Sequence, residues 1–334
     1  MSLDVSNQSS SSSKSRKKAA FLSLGIGIIL LFVKFFAYGM TSSQAIFSDA
    51  VESIVNVLGA SAALWAIHIA EQPADNSHPY GHGKMEYFSS AFEGGLIGIA
   101  AIILIFESIQ VMVNPTTLQR MDSGILLVTI AGLANLATGM FLLSRGKSED
   151  SPALKASGLH LLSDFWTSLG VVLGLGMMLW TGWLWMDAVI GLIIGLNLGI
   201  ASFKIVGESL NRLADHVDDA LLDVLCPVLE RHSGDGIIQI HDLRVLKSGR
   251  FHHVDAHVII PEHWTIQAGH DYTLEYEQEV MKELGKTGEI AFHIDPCGQK
   301  YCSNCRLKGC DYRQEPFQSR FSFSKEYMTN IYPE

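Results

Sequence analysis

Six long apolar runs occupy most of the first two thirds of this chain, at 19–40, 45–69, 87–113, 123–144, 154–180 and 184–203. Each is close to the ~20 residues needed to cross a hydrocarbon core. In lipid only helices and closed barrels satisfy every backbone amide and carbonyl, and runs this long suit helices. The expectation is therefore an α-helical membrane protein with six transmembrane helices.

Charge supports a two-part chain. Charged residues make up 17% of the 334, below the ~25% of an average soluble domain. Most lie before residue 19 or after residue 202. Lys84, Arg145, Lys147, Lys155, Lys204 and the basic tail fall on one side of a six-span arrangement, against Arg120 on the other. That bias places both termini in the cytoplasm. Residues 1–18 are Ser-rich and are expected to form a disordered cytoplasmic tail. The apolar run after them is too long for a signal-peptide core and is followed by no small-residue cleavage site.

Ionisable groups interrupt two of the runs. Glu52 and Asn56 stand four apart in the second, with Asp49 one turn away on the same stripe. His160 and Asp164 stand four apart in the fifth. A charge at bilayer depth costs on the order of 3 kcal/mol, so three unpaired acids would cost roughly 9. They must face one another, water or a cation. Two helices each offering a polar i, i+4 pair supply four N/O ligands, a set that suits Zn²⁺ and its neighbours. A simpler reading is an interhelical hydrogen-bond clamp. Three acids and a histidine favour the metal. Glu93 and Glu107 in the third run are weaker candidates, Glu93 for lining a watery path.

After the second run, Asp75, His78 and His82 lie in a short loop shaped by Pro79 and Gly81. They can close on one ion, or simply be solvated. Beyond residue 207 the periodicity changes to helix 218–232, strands 236–246 and 251–260, helix 266–284 and strand 289–294. This αββαβ order predicts a small two-layer α/β domain. In the second strand His253, Asp255 and His257 alternate with Val254, Ala256 and Val258. His252, His253 and His263 read as surface residues, and Cys226 as a packed helix residue. The net charge of −10 excludes a nucleic-acid partner, which needs a basic face.

Four cysteines follow, Cys297-x4-Cys302-x2-Cys305-x4-Cys310. In a reducing cytoplasm they suit a Cys₄ zinc site, with an iron–sulfur cluster second and unliganded thiols third. The expected division is a tail at 1–18, a membrane domain at 19–207, a metal-binding domain at 208–296 and a cysteine-rich extension at 297–334.

The stretch from Ser48-Asp49 to Asn56, the loop His78-Pro-Tyr-Gly-His82-Gly-Lys84 and the pair His160-x3-Asp164 resemble the cation diffusion facilitator family. The six spans and the appended acidic domain match it too. The resemblance covers roughly residues 17–296, and the family core lacks the cysteine extension. It implies a homodimeric metal/proton antiporter, not an enzyme, in a bacterial cytoplasmic (inner) membrane. By position it implies a transport site of Glu52, Asn56, His160 and Asp164, with Asp49 as an added candidate, and a loop site of Asp75, His78 and His82. It further implies a site of His241, His257, His270, His293 and Asp295 across the dimer interface of a ferredoxin-like domain, and a Lys84–Asp215 salt bridge. Many members carry Asp or His, then Asp, where this chain has Glu52 and Asn56. The expected cargo is Zn²⁺, with Fe²⁺, Co²⁺, Ni²⁺, Cd²⁺ and Mn²⁺ as alternatives. The competing class is a membrane-anchored sensor or metalloenzyme whose spans are inert.

Overall fold

A computed structural model describes residues 2–41, 44–113, 122–181 and 185–330. The side chains of Asp49, Glu52 and Glu107 lie outside the described set, as does Arg120. The chain divides into two units, Met1–Ala214 and Asp215–Glu334.

The first unit is six helices: α1 Ser2–Thr41, α2 Gln44–Ala70, α3 Met85–Val113, α4 Asp122–Ser148, α5 Pro152–Thr181 and α6 Trp185–Leu213. Each contains one of the expected runs, although α6 extends ten residues past the sixth. Segments of α1, α2, α3 and α6 are long and apolar enough to cross a membrane by length and composition. The unit is inverted relative to a water-soluble bundle. Phe32, Phe36, Ile102, Phe106 and Phe203 point outward, while Arg16, Asn56, Glu86, Glu93, Asn135, His160 and Asp164 are buried. Apolar exposure on this scale fits a lipid-facing surface.

Small residues let the helices approach in pairs. Along α4 and α5, a β-carbon at Gly158 would lie 2.8 Å from the Leu143 amide nitrogen, and one at Gly146 would lie 2.8 Å from that of Lys155. Along α3 and α6, a β-carbon at Gly98 would meet Ser202 Oγ at 2.7 Å, and one at Gly195 would meet Ile105 Cγ1 at 2.7 Å. Ser202 Oγ donates to the Gly94 carbonyl at 2.7 Å across the same seam.

α1 starts at Ser2, within the stretch expected to be a disordered tail. Extending a nucleated helix costs little per residue, even through serine. Side chains also anchor it. Arg16 is buried and donates to Glu86 at 2.5 Å and to Glu71 at 3.1 Å, and Lys17 pairs with Glu71 at 2.5 Å. The basic residues at this end are thus partly structural and not only a topological signal.

The second unit follows the expected αββαβ order: α7 Asp219–His232, β1 Gln239–Ser248, β2 Phe251–Ile260, α8 Ile266–Leu284 and β3 Gly288–Pro296. Asp218 caps α7 and Thr265 caps α8, which ends on left-handed Gly285. The sheet order is β1-β2-β3, with β1/β2 antiparallel and β2/β3 parallel. Leu225 and Leu229 of α7 and Tyr276 and Val280 of α8 pack on Val254, Ala256 and Val258. The predicted alternation in β2 holds at those three positions. It fails for His252 and His253, which are buried. His252 Nδ1 lies 3.2 Å from the Thr287 carbonyl and His253 Nδ1 2.8 Å from Glu289. The central strand has neighbours on both edges, which encloses residues that a lone strand would expose.

The cysteine segment does not hang from this domain. Cys305 packs with Ile238 and Ile259 in a second small core, and Phe323 and Met328 enter the main one. A 3-10 helix, Gln299–Asn304, and a one-turn α9, Lys325–Met328, punctuate the segment. The Asn330 carbonyl accepts from the Asp242 amide at 3.1 Å, which fastens the segment to β1. The expected boundary after residue 296 therefore disappears within one unit, and the boundary expected after 207 falls after Ala214.

Candidate metal sites

Three of the four residues expected at the membrane site meet between α2 and α5. Asn56 Nδ2 donates to Asp164 Oδ2 at 2.5 Å, and His160 Nε2 lies 2.7 Å from Asn56 Oδ1. All three are buried. Helical spacing explains the convergence: residues 160 and 164 share a face of α5, and Asn56 stands opposite. His160 Nδ1 is buried with no hydrogen-bond partner. A histidine, a carboxylate and an amide oxygen within hydrogen-bond reach form a mixed N/O donor set. Glu52 and Asp49 lie outside the described side chains. Ser53, Asn56, Leu161, Ser23 and Asn135 line an adjoining cavity with room for roughly one water. Asn135, 2% exposed on α4, escaped the sequence reading, although it is a lone amide in an apolar run.

Among the described residues, two groups of three or more His, Cys, Asp or Glu hold their ligand atoms within 4.8 Å of one another. The first is Asp75, His78 and His82. Asp75 Oδ1 accepts from the Ser77 and His78 amides at 2.8 and 2.7 Å, a local turn that aims the carboxylate at both rings. His78 Nδ1 lies 3.4 Å and His82 Nε2 3.6 Å from it. Gly81, at φ 75°, lets the loop fold back. The His78 amide bond holds the Asp75 carboxyl below its ordinary range, keeping it anionic and ready for a cation.

The second group is His241, His257 and Asp295. Sheet register builds it: His241 pairs with His257 across β1/β2, and His257 with His293 across β2/β3. His257 Nδ1 lies 2.9 Å from Asp295 Oδ2, and His293 Nε2 3.4 Å from Asp295 Oδ1. Burial, then the neighbouring His257, pushes the His241 imidazole below its ordinary value, which favours the neutral, metal-binding form. His270 stands exposed on α8, outside this group in the single chain. Asp242 was missed. It sits in a bulge at φ 50°, and its carboxylate lies 3.8 Å from His257 Nε2.

The four cysteines are gathered but not closed. No three of their Sγ atoms, among the described residues, lie within 4.8 Å, so the expected four-sulfur centre is not assembled. The fold around them is nonetheless specific. Cys297 Sγ accepts the Glu262 amide and Cys302 Sγ the Gln314 amide, each at 3.4 Å. Arg313 donates to the carbonyls of Cys302, Cys305, Leu307 and Glu315 at 2.7–3.3 Å. Cys226 packs in the main core as expected, and burial pushes its thiol up to about 11. Lys84 lies in the turn before α3 and Asp215 just after α6 at φ 59°, one in each unit.

Comparison with known proteins places these sites in context. Residues 20–214 match the cation efflux transmembrane domain and residues 217–297 the cation efflux protein cytoplasmic domain. An uncharacterized transporter of Synechocystis, sll1263, is 34% identical over 83% of this chain and 89% of its own length. The cation-efflux pump FieF of Salmonella arizonae is 27% identical over 84% of this chain and 92% of its own. That of Klebsiella pneumoniae is 28% identical over the same shares. A solved structure of CzrB aligns with 25% of this chain and 99% of its own at 15% identity, with a TM-score of 0.23, too low to bear on the fold.

Proposed function

The chain belongs to the cation diffusion facilitator family of cation-efflux transporters, and we propose that it exports a divalent transition metal, zinc foremost, in exchange for protons. The observation that carries this reading is the buried Asn56–His160–Asp164 triad between α2 and α5. Glu52 completes the ligand set, with Asp49 in reserve. The protein sits in a bacterial inner membrane with both termini and the acidic domain in the cytoplasm, from which the ion enters. Helix rearrangement then opens the site outward. Protons displace the ion because His160 and the carboxylates hold a proton or a metal, not both. Mixed N/O donors suit Zn²⁺, while Fe²⁺, Co²⁺, Ni²⁺, Cd²⁺ and Mn²⁺ fit the same chemistry less selectively.

The working form is a homodimer. His270 and His293 join His241, His257 and Asp295 when two cytoplasmic domains meet, and metal there tunes transport. The Asp75–His78–His82 loop collects ions at the mouth. Lys84 and Asp215 form the salt bridge that the family resemblance implies, and the four cysteines bind a structural zinc or an iron–sulfur cluster. The test is zinc uptake into proteoliposomes under a pH gradient. His160→Ala and Asp164→Ala should each abolish it, and uptake at the wild-type rate would sink the transport site. Exchanging Lys84 and Asp215 in the same assay should restore what either single reversal removes. Failure of that rescue would remove the bridge.

A further inference from the structure

Glu93 is a buried carboxylate that the transport triad does not use. It lies on α3 and is 1% exposed. Its Oε1 accepts from Ser157 Oγ of α5 at 2.5 Å, and its Oε2 has no hydrogen-bond partner. On the α2 side it faces Gly59, where a β-carbon would stand 3.6–3.8 Å from the Glu93 side chain. Three helices thus converge on one acid with a free oxygen.

Its position relative to the triad follows from helix geometry. Gly59 is three residues from Asn56 on α2, and Ser157 is three residues from His160 on α5. One step runs toward the C-terminal end of α2, which leads into the loop of Asp75, His78 and His82, and the other toward the N-terminal end of α5, where Ser151 bonds Glu86 at the start of α3. Glu93 is therefore displaced from the triad by ~4.5 Å along the helix axes, toward the loop side. The arrangement repeats once farther out. Seven residues earlier on α3, Glu86 accepts from Ser151 Oγ with one oxygen and from Arg16 with the other. Two glutamate–serine pairs thus stand ~10 Å apart along the α3/α5 seam, leading from the loop to the triad. The outer one is neutralised by Arg16, whereas the inner one has a free oxygen and, among the described residues, no basic side chain paired with it.

We propose that Glu93 and Ser157 form a relay site for the divalent cation between the loop-side mouth and the Asn56–His160–Asp164 site. Glu93 Oε2 and Ser157 Oγ supply hard oxygen ligands that hold the ion briefly while it exchanges water for the triad. Conduction through a buried path needs stations that bind strongly enough to admit an ion and weakly enough to release it. A single carboxylate with a hydroxyl meets that condition, and the richer triad beyond it draws the ion on. The proposal rests on the transport-site reading and adds a step to it.

Glu93→Gln preserves size and the acceptor for Ser157 but removes the charge. In zinc uptake by reconstituted full-length protein, its maximal rate should fall at least tenfold. Equilibrium zinc binding in detergent should stay within twofold of wild type, because the triad is intact. Glu93→Asp should recover a substantial part of the rate. A wild-type rate in Glu93→Gln overturns the proposal. So does loss of equilibrium binding, which would make Glu93 part of the main site or of the fold. A Glu93→Asp protein as slow as Glu93→Gln also overturns it, since shape and not charge would then matter. His160→Ala, measured alongside, should lose one bound zinc per chain and transport together. If it retains both, the underlying transport site is what fails.

Discussion

Arg16→Gln is the perturbation with the largest expected structural effect. Arg16 is 1% exposed and bridges two acids, one from the end of α2 and one from the start of α3. Glu86 is equally buried, and Ser151 beside α5 occupies its second oxygen. Removing the guanidinium leaves the Glu86 carboxylate with neutral donors alone, the Ser151 hydroxyl and the Ala153 amide, while Glu71 keeps Lys17. Breaking a buried ion pair from one side costs roughly 3–5 kcal/mol, most of it for the charge left behind. For a folding unit of 150–250 residues each kcal/mol moves the melting temperature by roughly 2–4 °C, so a loss of roughly 6–20 °C is expected. The assay is thermal unfolding of purified protein in detergent, read by loss of the monodisperse peak. Glu86→Gln in the same chain should return part of the loss, because it removes the orphaned charge. The coupling in that double-mutant cycle should be roughly 1–3 kcal/mol. An Arg16→Gln protein that melts with wild type, or a double mutant that melts at the sum of the singles, would refute the clasp.

Four further outcomes concern the cysteines. Iodoacetamide at pH 8 should label Cys302 and Cys310 in the folded, chelator-stripped protein but spare Cys226, whose thiol stays protonated up to about 11 because it is buried. By the same linkage, stability from Cys226 is complete below the unfolded thiol value near 9 and is lost as pH rises toward 11, seen as a falling melting temperature in alkaline buffer. Native mass spectrometry should find one metal centre per chain that disappears when Cys297, Cys302, Cys305 and Cys310 are all changed to serine. An unchanged mass difference would exclude the cysteine centre. Arg313→Ala should weaken that centre by freeing the four carbonyls it organises.

Local patterns were legible in the sequence where periodicity and polarity agree. The His160/Asp164 spacing located two of the three residues of the membrane triad because an i, i+4 pair shares one helix face. The alternation of Val254, Ala256 and Val258 located the sheet's inner face. What was not legible depends on partners distant along the chain. Nothing adjacent to Arg16 signals that Glu71 and Glu86 will enclose it. Asp242 reads as an ordinary strand residue until a bulge turns its carboxylate toward His257. The cysteine segment looked like an appendage because Phe323 and Met328, its contributions to the core, come far after the last cysteine.

The glycine-lined seams also limit how such a machine can move. Where backbone lies against backbone, as at Gly158 and Leu143, there is no layer of side chains to repack during sliding, so α4 and α5 must travel as one rigid plank. The α3/α6 seam is close as well, since a β-carbon at Gly195 would come within 3.3 Å of the Ala101 carbonyl. By contrast, the α2/α5 junction is fastened at its centre by Asn56, His160 and Asp164, groups that a cation or a proton can regroup. On the proposed transport reading, the cargo sits at a separable joint between α2 and the α4/α5 plank, and its arrival and departure act on the fastening itself.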